Sequence, residues 1–142
     1  MNEIELKPAS VFECFAKVNQ VPRPSKKEEQ MIQFLLDFGK SLGLESVCDE
    51  TGNVIIRKPA TPGMEGRKTL ILQSHMDMVC EKNAHTEFDF LKDSIQTYIE
   101  GEWMHAKGTT LGADHLLAQI VQSHIGAFLD DDHLHAGGVA VG

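Results

Sequence analysis

The sequence predicts an α/β fold in which helices and a β-sheet form layers. Two amphipathic helical patterns come first, short strand-like segments follow, and a third helical pattern occupies much of the remaining chain. Apolar periods of 3.6 residues and of two residues in one chain are typical of a layered domain. At 142 residues, 42% of them hydrophobic, the chain is long enough for one ordinary core but not for two.

Capping boxes predict where the first two helices begin. In Ser10–Glu13 and in Ser25–Glu28 a serine precedes a glutamate by three positions, so each side chain can satisfy a free backbone N–H. Pro22 and Pro24 should end the first helix because neither has an N–H to donate. Gly43 is predicted to end the second. The apolar stripes of these helices are Val11, Phe12, Phe15 and Val18, then Met31, Ile32, Leu35, Leu36, Phe38 and Leu42.

Strand-like patterns fill the middle of the chain. The predicted strands are Glu45–Cys48, Asn53–Lys58 and Thr69–Leu72, with a Pro- and Gly-rich loop over 59–66. A hairpin is predicted from Ile95–Ile99 and Glu102–Ala106, and Trp103 is expected to pack within it. Residues 116–129 carry a helical stripe, and 135–141 have the pattern of a strand.

Composition excludes several classes of function. A formal net charge of −8 argues against a nucleic-acid or anionic-membrane partner. The acidic N-terminus has no apolar core of a signal peptide, and no apolar run approaches the roughly 20 residues that span a bilayer. Cys14, Cys48 and Cys80 are an odd, widely spaced set, which favours free thiols in a reducing compartment. We therefore expect a cytoplasmic protein.

His75 and Asp77 are the first candidate site residues. They follow the predicted strand at 69–72, and side chains two positions apart in an extended segment leave from the same face. An imidazole is a common metal ligand, and a neighbouring carboxylate can fix its tautomer and raise its basicity. The pair is therefore a candidate for a metal ligand and the acid that supports it.

Asp114 is the third candidate, at the end of the Gly-rich run 107–114. Its carboxylate could bridge two divalent ions about 3.5–4 Å apart, the spacing of paired-metal hydrolases. The glycines before it would allow a sharp turn toward the metal. Taken singly, His75 could equally be a structural histidine at a strand end, and Asp114 a helix N-cap.

Six collinear segments resemble the aminoacyl-histidine dipeptidases, also called cytosolic non-specific dipeptidases, of the metallopeptidase superfamily that includes acetylornithine deacetylase. The likeness covers about residues 5–114 and corresponds to the N-terminal part of that family. The segments are SKKEE (25–29), DETGNV (49–54), KPATPGM (58–64), QSHMDMV (73–79), YIEGEW (98–103) and GTTLGAD (108–114).

The resemblance implies a two-metal peptidase with a mixed sheet between helices and a smaller inserted lid or dimerisation domain. It implies that His75 is the first metal ligand, Asp77 its supporting acid and Asp114 the bridging ligand. The implied cofactor is a pair of Zn²⁺ ions, with Mn²⁺ or Co²⁺ as alternatives. The implied reaction is hydrolysis of dipeptides, Xaa-His dipeptides among them, by a metal-activated water, and the full-length family includes homodimers.

Two departures from the family pattern set further expectations. The family continues with Asn-Gly-Ile-Gly after its bridging Asp, whereas this chain has His115, Leu116, Leu117 and Ala118, which should shift or overpack that helix. The family's later Glu pair, one of them the general base, has no counterpart, and Asp130, Asp131 and Asp132 precede the last strand rather than follow it.

We therefore expect residues 1–142 to form a partial catalytic domain. The lid or dimerisation domain and the C-terminal half of the catalytic domain would be absent, together with the general base. Such a chain should be inactive alone, bind metal weakly or not at all, form no dimer and be either marginally folded or aggregation-prone. Two other functions remain open: a related amidohydrolase acting on N-acyl amino acids, and a non-catalytic remnant of the fold.

Overall fold

The computed structural model describes residues 9–101 and 103–112, and the backbone of 139–141. Two helices come first, α1 (Ala9–Asn19) and α2 (Glu29–Ser41). Six strands follow: β1 (Glu45–Cys48), β2 (Val54–Arg57), β3 (Leu72–Ser74), β4 (Thr97–Glu100), β5 (Trp103–Ala106) and β6 (Val139–Val141). In the described residues no helix is both long and apolar enough to cross a membrane.

The main sheet is mixed, as predicted. Its order is β1-β2-β6-β3, with antiparallel pairing along β1-β2-β6 and parallel pairing between β6 and β3. β6 therefore lies between two strands that are much earlier in the chain, and it falls in the segment predicted to form a strand. Because β3 and β6 are parallel, their carboxyl ends reach the same edge of the sheet, where Ser74 pairs with Val141.

Both helices contribute residues of their predicted apolar stripes to one core with the sheet, and α2 packs directly against β1 and β2. Val18 of α1, Met31 and Leu35 of α2 and Val54 of β2 are completely buried. Burial of one such side chain contributes about 1.5–3 kcal/mol to folding. This core also includes Met76, so the segment that follows β3 is fixed to the body of the domain.

The predicted end of α2 at Gly43 is confirmed. Gly43 has φ +70°, and its N–H donates to Lys40 O at 2.9 Å. The N–H of Leu44 donates to Gly39 O at 3.0 Å, which completes a Schellman motif. The left-handed conformation turns the chain out of the helix and into β1.

The predicted capping boxes are wrong. α1 begins at Ala9, so Ser10 lies inside the first turn and not at the N-cap. The N-cap residue of α2 is Glu28, and no side chain caps that end. The hydroxyl of Ser25 instead donates to the carboxylate of Asp77, far along the chain. A tertiary contact has replaced the local one.

The predicted limits of the third strand are also wrong. β3 runs over Leu72–Ser74, not Thr69–Leu72, because its partners in β6 pair with those three residues. Ile71 is 71% exposed, consistent with its position before the paired segment. The β2 strand is one residue shorter at each end than predicted.

The predicted hairpin forms as β4 and β5, although its first strand runs over Thr97–Glu100 and not Ile95–Ile99. Glu100 pairs with Trp103 across a turn in which Gly101 has φ +61°. A positive φ is required in the tight turns that match the twist of a hairpin. Trp103, however, is 73% exposed, so the expectation that its side chain packs within the hairpin is wrong.

Candidate metal centre

The segment after β3 alternates between the core and the surface. Ser74, Met76 and Met78 are buried, whereas His75 is exposed and Asp77 half-buried. Although β3 ends at Ser74, this period of two continues, as in an extended chain. The two methionines in the core therefore present His75 and Asp77 on the opposite face, as the i, i+2 spacing predicts.

His75 and Asp77 are in direct contact. Nδ1 of His75 lies 2.9 Å from Oδ1 of Asp77 and 3.0 Å from the backbone oxygen of the same residue. Because both neighbours are acceptors, we assign the proton to Nδ1, which leaves the lone pair of a neutral imidazole on Nε2. The imidazole side chain is 63% exposed and the carboxylate 33%.

The second oxygen of the Asp77 carboxylate is also occupied. Oδ2 accepts a hydrogen bond from the hydroxyl of Ser25. This hydrogen bond, followed by the contact with His75, holds the pKa of Asp77 below its ordinary value against the opposing effect of partial burial. The carboxylate is therefore held in its charged form, the form that accepts the Nδ1 proton of a histidine.

Arg23 is a functional candidate that the sequence analysis missed. It is 1% exposed, and Nη1 donates to Val18 O at 3.0 Å. Nη2 contacts Oδ1 of Asn19 at 3.4 Å and also donates to the carbonyl of Gly112. Burial lowers the pKa of Arg23 to about 10, so the guanidinium remains charged at neutral pH. Its place between two prolines signals only the end of a helix.

The Gly-rich run lies beside the segment that follows His75. The N–H of Thr110 donates to Glu81 O at 2.8 Å, and its hydroxyl donates to Val79 O at 2.6 Å. A Cβ on Gly112 would lie only 3.0 Å from the Cβ of Met78, so glycine permits this close approach. The structure thus brings the end of the run next to Met78. Asp114 itself lies outside the described residues.

The described donors fit part of a metal centre. In residues 9–101 and 103–112 no group of three His, Cys, Asp or Glu side chains could hold an ion. His75 with its carboxylate partner nevertheless matches the arrangement by which proteins orient metal-binding imidazoles. This portion of the chain therefore presents one oriented nitrogen donor, and a complete site needs ligands from elsewhere.

Burial argues against activation of Cys14 and Cys80. All three are free; Cys14 is buried, Cys80 half-buried and Cys48 exposed. Burial raises the pKa of Cys80, although Arg23 opposes that shift, and it raises the pKa of Cys14 as well. Because the thiolate is the nucleophile, a raised pKa argues against a catalytic role for Cys80 despite its place beside the candidate centre.

Comparison with known proteins confirms the resemblance drawn from the six segments. No family model matches the chain. It is 44% identical over 136 residues to the cytosol non-specific dipeptidase of Escherichia coli (strain K12), which covers 95% of this chain but 28% of that protein. The chain thus spans just over a quarter of the length of this relative.

Solved structures give the same result. The aminoacylhistidine dipeptidase of Vibrio alginolyticus is 42% identical and superposes with a TM-score of 0.78, covering 98% of this chain and 28% of that one. Aminopeptidase PepT of Bacillus cereus is 24% identical with a TM-score of 0.70, covering 93% of this chain and 35% of that one. The second likeness extends to the fold alone.

Proposed function

Since this chain is a relative of the aminoacyl-histidine dipeptidases along nearly its whole length, we propose that it carries the His75 and Asp114 part of a two-metal dipeptidase centre. The observation that carries the proposal is the contact of Nδ1 of His75 with Oδ1 of Asp77 at 2.9 Å, directly after β3. In the whole protein the proposed reaction is hydrolysis of dipeptides, Xaa-His dipeptides among them.

In this proposal His75 binds metal through Nε2. Asp77 holds the proton on Nδ1, fixes the orientation of the ring and makes Nε2 a better donor. Asp77 is thus a positioning residue, and its charged state is favoured by the hydrogen bond from Ser25. The buried Met76 and Met78 on either side of Asp77 resist movement of this segment.

Asp114 is the proposed bridging ligand. Support comes from Gly112, two positions earlier, whose carbonyl accepts a hydrogen bond from Arg23 and whose backbone lies against Met78. Because Met78 is the residue next to Asp77, the backbone at Gly112 runs close to Asp77. The short link to Asp114 is therefore consistent with a shared site.

A bound pair of Zn²⁺ ions, or Mn²⁺ or Co²⁺ in their place, would supply Lewis-acid activation of water and of the peptide carbonyl. This chain contributes the orientation of one nitrogen ligand and one carboxylate. We propose no residue of 1–142 as the general base. Loss of a general base typically lowers a rate about 10²–10⁴-fold, so we propose that these residues do not hydrolyse dipeptides by themselves.

The proposed substrate and cellular location follow from the same relatives. We propose a dipeptide substrate and a cytoplasmic location, in keeping with the name of the Escherichia coli relative. The net charge of −8 favours neither nucleic acid nor an anionic membrane as a partner. We propose no homodimer for this chain alone.

A graft tests the proposed ligand role. Residues 9–114 of this chain would replace the matching segment of the Escherichia coli cytosol non-specific dipeptidase. We expect the graft to hydrolyse Xaa-His dipeptides. His75→Ala should lower its kcat/KM by more than about a hundredfold. Asp77→Asn should lower it about 10–100-fold, because the metal would bind more weakly. Bound zinc, measured by competition with a chromogenic chelator, should fall in parallel.

Asp37→Asn is the matched control, since Asp37 is an exposed carboxylate on α2. It should leave both activity and zinc content unchanged. A folded graft in which His75→Ala retained full zinc content and activity would exclude the proposed ligand role. Faster hydrolysis of N-acyl amino acids than of dipeptides would favour the amidohydrolase alternative.

A further inference from the structure

We propose that Ser25 is a positioning residue for the candidate metal centre, whose hydroxyl fixes the Asp77 carboxylate and thereby the tautomer and direction of His75. The inference rests on the proposed function only in treating His75 as a metal ligand. The contacts that carry it belong to this chain irrespective of any bound ion.

The two oxygens of Asp77 have different partners. Oδ1 lies 2.9 Å from Nδ1 of His75, and Oδ2 accepts the hydroxyl of Ser25. The terminal torsion of an aspartate is broad, so one hydrogen bond does not fix the plane of the carboxylate. The second contact restricts that torsion. Without Ser25, the Asp77 carboxylate could turn away from Nδ1. The backbone oxygen of Asp77, 3.0 Å from Nδ1, would then be the remaining acceptor, so the preference for the Nδ1–H tautomer would weaken.

The backbone that carries Ser25 is itself fixed beside Asp77. The N–H of Met78 donates to Arg23 O at 3.0 Å, and Pro24 forms a parallel bridge with Met78. The guanidinium of Arg23 anchors the same segment to the end of α1 through Val18 O. Ser25 therefore approaches Asp77 from a segment held by buried contacts, although its own side chain is exposed.

The residue after Ser25 has an unusual conformation. Lys26 has φ +66°, the single positive φ among the described residues other than glycine, and its N–H donates to the carboxylate of Glu28. Local sequence alone would allow Ser25 and Glu28 to cap α2, but Lys26 adopts the left-handed conformation and the Ser25 hydroxyl donates to Asp77. Backbone strain of this kind clusters at functional sites.

The test measures the His75 tautomer in the metal-free 142-residue chain by long-range ¹H–¹⁵N NMR. The pH would be about 8, above the ordinary pKa of histidine, and His75→Gln would identify the resonances. We expect the wild-type ring to be mainly Nδ1–H. In Ser25→Ala we expect a mixture richer in Nε2–H, whereas Ser25→Thr should restore the wild-type pattern because it keeps the hydroxyl.

Ser41→Ala is the matched control. Its hydroxyl donates to Phe38 O at 2.7 Å in α2, so the substitution also removes one exposed serine hydrogen bond. It should leave the His75 tautomer unchanged. Ser25→Ala spectra equal to those of Ser41→Ala would overturn the proposal. Loss of the dispersed amide spectrum in Ser25→Ala would also overturn it, because Ser25 would then serve the fold rather than the ring.

A zinc titration followed at the His75 resonances separates this inference from the proposed function. We expect Ser25→Ala to weaken zinc binding about threefold to tenfold, less than the 10–100-fold typical of a direct partner of a metal ligand. If zinc shifts no His75 resonance in any variant while the tautomer responds to Ser25, the positioning role stands and the ligand role fails. If the tautomer is the same in every serine variant while zinc still shifts the His75 resonances, the ligand role stands and the positioning role fails.

Discussion

At the scale of single residues, the orientation of His75 depends on side chains that contact no ligand. Met76 and Met78 are buried at 5% and 4% exposure, and their packing sets which face His75 and Asp77 occupy. Asp77 then selects the ring nitrogen that keeps its proton. The spacing of His75 and Asp77 was readable from sequence, whereas the hydroxyl that holds Asp77 was not.

Asp49 is a second carboxylate with several hydrogen bonds, and the pH dependence of stability tests whether they persist in solution. Its carboxylate accepts hydrogen bonds from the side chain and N–H of Asn53 and from Thr51, which lower its pKa to about 2. An unfolded Asp titrates near 3.9. Because the folded pKa is depressed, this contribution to stability is present above about pH 4 and is lost as the pH falls toward about 2.

We therefore expect the Asp49 carboxyl ¹³C resonance of the folded chain to titrate near pH 2. The free energy of unfolding of the wild-type chain should decrease over that window more than that of Asp49→Asn. A midpoint for Asp49 near 4 would show that its hydrogen bonds do not persist in solution.

At the scale of elements, local sequence determined where helices end better than where they begin. The Schellman motif at Gly43 is a property of a few consecutive residues, and it formed as predicted. The starts of α1 and α2 did not follow the capping boxes. In α2 the serine predicted to cap the helix, Ser25, donates instead to Asp77, 52 positions away.

Gly43→Ala tests the end of α2. At φ +70° an alanine is strained, although its Cβ would have no other atom within 4 Å. We expect the free energy of unfolding to fall by about 1 kcal/mol, the cost of the left-handed conformation for a residue with a Cβ. Urea denaturation monitored by circular dichroism measures the change.

Gly66→Ala is the control for that substitution. Gly66 has no positive φ and no atom within 4 Å of a Cβ, so alanine there should be neutral or slightly stabilising. Equal effects of the two substitutions would mean that the conformation of Gly43 does not contribute to stability.

At the scale of the whole molecule, Arg23 connects three parts of the chain. Its guanidinium joins the end of α1 to the carbonyl of Gly112, 89 positions away, and its own carbonyl accepts the N–H of Met78. Among the residues that the structure describes, its hydrogen-bond acceptors are carbonyl oxygens and not carboxylates. A buried cation solvated by carbonyls holds both segments of the candidate site against the core.

Arg23→Met tests this connection. Methionine retains much of the side-chain volume but removes the donor to the carbonyl of Gly112 and one of two donors to that of Val18, which keeps the N–H of Val21 at 3.1 Å. Each buried acceptor without a partner costs about 1–3 kcal/mol, partly offset because no cation is buried. We expect the free energy of unfolding to fall by about 2 kcal/mol in urea denaturation, with faster amide exchange at Thr110.

Arg57→Met provides the comparison. Arg57 pairs with Glu45 on an exposed part of the sheet, with side-chain exposures of 57% and 58%. Exposed ion pairs contribute about 0–1 kcal/mol, so this substitution should change stability little. If Arg23→Met were as mild as Arg57→Met, the connection through Arg23 would carry no energetic weight.

The sequence by itself determined the fold class, the helical stripes, the turn at Gly43, the hairpin and the likeness to dipeptidases, because each depends on spacings of a few residues or on collinear motifs. Only the tertiary structure decided the limits of β3, the insertion of β6 between β2 and β3, and the partners of Ser25 and Arg23. Those features arise from contacts between residues far apart in the chain. The sequence around a serine or an arginine in a loop does not indicate which distant residue it will contact.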